Sequence, residues 1–216
     1  MSAPDWAETL RYLGYSGQDI SPDLEARIRA AMDECAGIAA PRKVWREFGY
    51  SENGEVLGAS LVLPGDDIKR RLKGCERVVI MAATLGVSVD AAISRYETTD
   101  LSYCVLLDAA ATSMIEAACD EMEAEISARA GAFLGERYSP GYGDMPIEIQ
   151  PRVLAALEAG KKIGLMCTPS FIMTPRKSVT AILGVSKNKR PRGDKCSNCS
   201  MRDACRSSCL RVSASC

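Results

Sequence analysis

At 216 residues and 47 % hydrophobic content the chain is long enough to bury a core, as one domain with an appendage. Aromatic residues make up only 6 %, so that core must rest on Ala, Val, Ile, Leu and Met, and the absence of histidine removes the usual general base, nitrogen metal ligand and Ser-His or Cys-His nucleophile pair. The net charge of −1 is unevenly spread: Lys187, Lys189, Arg190, Arg192, Lys195, Arg202, Arg206 and Arg211 face only Asp194 and Asp203 between residues 187 and 211, a local +6 that leaves −7 for the rest.

The longest uncharged runs, Ile163 to Pro175 and Val78 to Val89, have 13 and 12 residues, too few to span a bilayer, and MSAPDWAETL has neither a basic region nor an apolar run. A soluble cytoplasmic protein with no membrane association is expected. In chain order, Pro4 to Leu13 reads as a short helix. SPDLEARIRAAMDECAGIA reads as a longer one, with Ser21 as N-cap, Pro22 at the first helical position and Leu24, Ile28, Ala31, Met32 and Cys35 on one side. KVWREFGY and EVLGASLVLP then read as a hairpin about a two-residue Asn53-Gly54 turn.

Asp66 to Lys73 reads as a short helix, ERVVIMAATLG as a buried strand, and Ser88 to Tyr96 as another helix. Residues 101 to 130 form the clearest element. Leu101, Val105, Leu106, Ala109, Thr112, Met114, Ile115, Ala118, Met122 and Ile126 recur at steps of three and four, which predicts a long helix with these residues on its core face. Cys104 and Cys119 fall beside that face and read as core packing. Glu148 to Leu157 reads as a helix, and IGLMCTPSFIMTP and SVTAILGV as two strands separated by Pro175-Arg176-Lys177. The irregular alternation predicts an α+β fold: a single domain with a long central helix packed on a mixed or antiparallel sheet, followed by a Cys-rich tail. The expected divisions are 1–74 (helices and hairpin), 75–186 (ligand-binding core, one domain with 1–74) and 187–216 (basic tail).

The loop RYSPGYGDMP, residues 137 to 146, concentrates the chemistry. Pro140-Gly141 favours a tight turn, Gly143 is a second point of close backbone approach, and Asp144 with Pro146 resembles a helix start that would present free backbone N–H groups. Arg137 offers a fork for a carboxylate or phosphate, and Tyr142 a flat face for a ring. On residue types alone, a rigid turn with a solvated arginine and core-filling tyrosines is the favoured explanation of the loop.

Arg137-x-x-Pro140-Gly141-Tyr142-x-x-x-Pro146 resembles the S-adenosylmethionine-binding motif of the activation domain of cobalamin-dependent methionine synthase. Met173-x-Pro175-x-x-Ser178-Val179 is similar to that family's second strand motif, and Glu116 best matches its acidic ligand-contacting position on the long helix. The resemblance covers about residues 75 to 186 and extends to free-standing members of the family. It departs at Gly143-Asp144-Met145-Pro146, which replaces a proline-alanine-cysteine-proline segment, and at Leu183, which stands where the family has a tyrosine on the adenine side.

The resemblance implies a free-standing activation protein that binds S-adenosylmethionine through Glu116, Arg137, Pro140, Gly141, Tyr142 and Ser178. It would support reductive methylation of the cobalamin on a partner methionine synthase or corrinoid methyltransferase. One electron reduces cobalt and methyl transfer traps the product, so an unfavourable one-electron potential, about a factor of ten per 59 mV, is offset by the irreversible second step. No acid or base is required of the protein, so no catalytic residue is assigned. With no histidine to ligate cobalt, the corrinoid must arrive on the partner.

Cys196-x-x-Cys199-x5-Cys205-x3-Cys209 has the count and spacing of a metal site. Four thiolates suit zinc or an iron–sulfur cluster equally, and a basic tail with adventitious thiols remains open. The surrounding charge suits an acidic partner, such as a flavodoxin-like or ferredoxin-like electron donor or the corrinoid protein; nucleic acid is the least favoured partner. The alternative function is a non-catalytic, metal-tailed module that docks on a corrinoid protein.

Overall fold

The computed structural model describes residues 2–187. Helix α1 (Trp6–Tyr12) begins at Asp5, whose carboxylate accepts from the Glu8 amide, and α2 (Pro22–Ile38) begins at Ser21, whose hydroxyl accepts from the Leu24 amide. Three strands come after them: β1 (Arg42–Tyr50), β2 (Glu55–Leu57) and β3 (Leu61–Val62). The β1–β2 reversal is longer than the two-residue turn expected, since Tyr50 pairs with Val56 and the Gly54 amide bonds the Ser51 carbonyl. EVLGASLVLP is two short strands instead of one, because Gly58 and Ser60 at φ 82° and 48° turn the chain back on itself.

Helix α3 (Asp66–Leu72), strand β4 (Arg77–Thr84), helix α4 (Val87–Thr99) and helix α5 (Leu101–Ala130) come next. They are followed by β5 (Phe133–Leu134), a 3-10 turn at Ile147–Ile149, α6 (Gln150–Leu157) and α7 (Ala159–Ile163). The chain then forms β6 (Met166–Cys167), β7 (Met173–Thr174) and β8 (Ser178–Ser186). IGLMCTPSFIMTP is therefore a small separate hairpin, β6 against β7, and not one strand. Pro169 and Pro175 lack amide donors, and Phe171 at φ 66° turns the chain between them.

The main sheet runs β3-β2-β1-β4-β8-β5 with every neighbouring pair antiparallel. β4 pairs with β1 from Arg42↔Thr84 to Gly49↔Arg77, so residues on both sides of position 75 share one sheet. Helices cover both faces. Val79, Met81 and Ala83 point into the core under α2, α4 and α5, while Val78, Ile80 and Ala82 point into the core built with Met145, Ile149, Val153 and Leu157. Burial on both sides explains why β4 reads as a continuous apolar run. The architecture is a single α+β domain in which the long helix packs across an antiparallel sheet.

Asp100 and Gly131 bound α5. The Asp100 carboxylate accepts from the Tyr103 amide, and Gly131 ends the helix in the left-handed conformation. Among the described residues α5 is the one helix long and apolar enough to cross a membrane, but 13 of its residues are buried against α1, α2, α4 and the sheet. Leu101 and Val105, expected on the core face, are 67 % and 53 % exposed. They lie on the same helical stripe as Asp108, Thr112 and Glu116, which the packing leaves outward. Cys104 and Cys119 are buried, as core packing requires.

Candidate functional site

Strand alternation places the first site residue. The Tyr138 backbone bridges to Ile182 of β8, with Tyr138 N–H donating to the Ile182 carbonyl and the reverse bond closing the pair. Tyr138 joins the core opposite α5, so its neighbour Arg137 projects toward α5. There Arg137 Nη2 donates to Glu116 Oε2 at 2.9 Å and lies 2.9 Å from Asp120 Oδ1, while Nη1 stands 3.1 Å from Glu123 Oε1. Nη1 is buried without an aligned hydrogen bond. Burial pulls the guanidinium pKa down, but Glu123, the Cys119 thiol, Glu116 and Asp120 together raise it further, and the group is firmly cationic.

Glu116, Asp120 and Glu123 succeed one another at helical steps of four and three, so one face of α5 presents three carboxylates to one guanidinium. The stripe continues toward the helix N-terminus. Lys177 Nζ lies 2.8 Å from Asp108 Oδ1 and donates to Thr112 Oγ1 at 2.8 Å and the Asp108 carbonyl at 3.1 Å. Thr112 and Asp120 are eight residues apart, about 12 Å of helical rise, so two cations stand along one acidic ridge at roughly the length of an extended small molecule. Tyr12 at the end of α1 also borders this ridge: burial first and the Glu116 charge second raise its phenol.

The 137–146 loop is more closed than the sequence implies. The Gly141 amide donates to the Met145 carbonyl, the Tyr142 amide to the Ser139 carbonyl and the Met145 amide back to Tyr142, so the N–H groups of the Pro140-Gly141-Tyr142 turn are satisfied internally. Gly143, at φ 53°, does make a close approach, but to Asp67 and the Tyr138 hydroxyl of the same chain. Asp144 does not start its own helix. Its carboxylate accepts from the Asp66 amide at 2.5 Å and the Asp67 amide at 3.2 Å and so caps α3, whose N-cap Gly65 has no side chain to do so. Tyr142 keeps an exposed ring, with its carbonyl accepting from the Tyr138 hydroxyl at 2.9 Å and the two rings edge to face at 6.3 Å.

The six sequence-predicted binding residues thus separate into two groups. Glu116 and Arg137 touch, and Pro140, Gly141 and Tyr142 are carried on the loop that Arg137 begins. Ser178 stands apart: it begins β8 just after Lys177, on the strand face shared with Thr180, which bonds Gln150, and its hydroxyl donates to the Pro175 carbonyl at 2.7 Å. Leu183 is fully buried under α5. The sequence motifs miss Asp120 and Lys177, and also the pairing of Glu123 with Arg137; the i, i+4, i+7 spacing from Glu116 is a signal that finds the two acids. Cys196, Cys199, Cys205 and Cys209 lie outside the described residues. Among the described residues no cluster of His, Cys, Asp or Glu side chains is arranged to hold a metal.

Two cavities of the fold lie away from this seam. One, of about 400 Å³, is lined by Pro151, Leu154 and Lys161 and the start of the β6–β7 hairpin, and the other, of about 470 Å³, lies between the end of β1 and α3. At the seam between α5 and the loop, Arg137 pairs with three carboxylates, of which Asp120 is exposed.

No family model and no curated protein matches this chain. Among solved structures, the chain is similar to the MetH reactivation domain bound to AdoHcy, with a TM-score of 0.61 and 19 % sequence identity, covering 87 % of this chain and 75 % of that one. The two proteins share a fold.

Proposed function

We propose that this protein binds S-adenosylmethionine at the seam between α5 and the 137–146 loop and supports reactivation of a cobalamin carried by a partner methionine synthase or corrinoid methyltransferase. The observation that carries the reading is the 2.9 Å pairing of Arg137 with Glu116, 21 residues apart, beside the Pro140-Gly141-Tyr142 turn. The fold shared with an AdoHcy-bound structure supports it.

When bound, S-adenosylmethionine supplies an electrophilic methyl group. The residues of this chain bind and orient. Arg137 exchanges one of its carboxylate partners for the ligand carboxylate, a charge-assisted contact of about 1.5–3 kcal/mol. Glu116, released from part of that pairing, takes the ammonium, and the Tyr142 ring lies along the ligand body. Three carboxylates around one guanidinium leave an excess of negative charge, which favours a cationic sulfonium over a neutral thioether. Orientation suffices for this role, in keeping with a chain that has no histidine. The electron would come from a separate donor, flavodoxin-like or ferredoxin-like; a metal held by Cys196, Cys199, Cys205 and Cys209 would supply redox chemistry if it were an iron–sulfur cluster and a structural role if it were zinc. Calorimetric titration of the full-length protein with S-adenosylmethionine tests the reading, with saturable one-site binding expected.

A second reading has its own support. Arg137 is matched by its own carboxylates, the Gly141 and Tyr142 amides are satisfied within the loop, and Ser178 lies on the other face of the sheet. A chain keeping that arrangement is a docking module for a corrinoid protein that needs no small ligand. Binding of the partner without S-adenosylmethionine binding separates the two.

A further inference from the structure

Arg137 Nη2 faces two carboxylates at once, Glu116 Oε2 and Asp120 Oδ1, each at 2.9 Å. The three acids around the guanidinium are not equivalent. Glu123, on the Nη1 side, has a side chain only 18 % exposed, and Glu116, half-buried, accepts an aligned hydrogen bond from Nη2. Asp120, one helical turn beyond Glu116, is 71 % exposed. An ion pair so open to water is screened, and little is lost when its carboxylate turns outward; turning Glu123 away would leave a charge uncompensated in a covered place.

The proposed exchange at Arg137 requires room at Nη2, where Glu116 and Asp120 both stand. Glu116 has somewhere to go, because the ligand brings an ammonium. Asp120 gains no such partner, and water is its alternative.

We infer that Asp120 is the place-holder for the ligand carboxylate on Arg137, and that it thereby sets how strongly the site selects a ligand that carries a carboxylate. The inference rests on the S-adenosylmethionine reading given above. In the empty site Asp120 covers Nη2. On binding, the ligand carboxylate takes that position and Asp120 turns into water, while Glu123 keeps its place beside Nη1. A ligand without a carboxylate leaves Asp120 where it is.

The test is calorimetry of the full-length wild-type, Asp120→Asn and Glu123→Gln proteins with S-adenosylmethionine and with decarboxylated S-adenosylmethionine, which keeps the sulfonium, the ammonium and the adenosine. Asparagine preserves the size of the side chain and removes its charge. S-adenosylmethionine is expected to bind Asp120→Asn about threefold more tightly than wild type, the worth of one exposed ion pair no longer displaced. The decarboxylated ligand should bind Asp120→Asn no more tightly than wild type, since a cation loses a neighbouring anion there. Glu123→Gln should tighten neither ligand. Unchanged or weakened S-adenosylmethionine binding in Asp120→Asn, an equal tightening of both ligands, or the same tightening in Glu123→Gln would overturn the inference and leave the binding reading standing. A wild-type protein that binds neither ligand would overturn the reading and this inference with it.

Discussion

Asp144 caps a helix 78 residues earlier in the chain: its Oδ2 accepts from the Asp66 amide at 2.5 Å. The loop that carries Gly141 and Tyr142 is thereby fastened to α3 through one carboxylate, and the two cannot move independently. Asp144→Ala removes the cap of α3 and should cost about 1 kcal/mol of stability, in the usual range for lost N-caps. Thermal unfolding measures the loss, and hydrogen exchange should show the amides of residues 66 to 70 and 141 to 145 losing protection together.

Gly143→Ala should be more damaging. The residue adopts φ 53°, and an added Cβ would meet Asp67 and the Tyr138 hydroxyl. Left-handed backbone and a steric clash together place the expected cost at about 2 kcal/mol or more, against little effect for Ala at an open glycine. Denaturant unfolding checks it.

Glu116→Gln separates two roles for that side chain. As a contact to the ligand ammonium it should, on substitution, weaken S-adenosylmethionine binding by about tenfold, the worth of one charged hydrogen bond. A Glu116 that only neutralises Arg137 would, when substituted, strengthen binding by freeing the guanidinium. The acidic excess also predicts tighter binding of S-adenosylmethionine than of S-adenosylhomocysteine, with the difference shrinking at high salt.

The buried thiols give a pH dependence. Burial pushes Cys35 up to about 11 and Cys119 up to about 12 from an ordinary value of 9.0, so the folded state holds these protons more tightly than the unfolded state. That contribution to stability is fully present below pH 9 and is lost as pH rises through the folded values, so the melting temperature should fall steeply between pH 9 and 11. At the acid end Asp100 works in reverse. Its pKa is lowered, chiefly by the Tyr103 amide and then by Ser102 and Arg27, so its contribution is present above the ordinary carboxylate value and lost as pH falls through the depressed one. Alkylation of the native protein at pH 8 should label the half-buried Cys167 before the buried Cys35, Cys75, Cys104 and Cys119, as mass spectrometry would show.

Elements set by local signals are legible in the sequence. Residues 101 to 130 stand out because apolar residues recur at steps of three and four, and β4 stands out because burial on both faces leaves no polar alternation. The features that escape the sequence depend on partners far away in the chain. Leu101 and Val105 share the apolar character of the buried stripe, and only the position of Lys177 and the loop shows that their side faces out. Asp144 precedes a helix, yet caps another whose N-cap glycine cannot. Ser178 fits a motif by spacing, but the period-2 alternation of β8 turns it from Glu116.

If the guanidinium beside Glu116 exchanges that partner for a ligand carboxylate, as proposed, calorimetry of S-adenosylmethionine binding to wild-type and Arg137→Ala protein will show it. Saturable binding to the wild type, weakened at least tenfold in Arg137→Ala with Arg137→Lys recovering only part, is the predicted result. Undiminished affinity in Arg137→Ala, or no binding to the wild type, would contradict it.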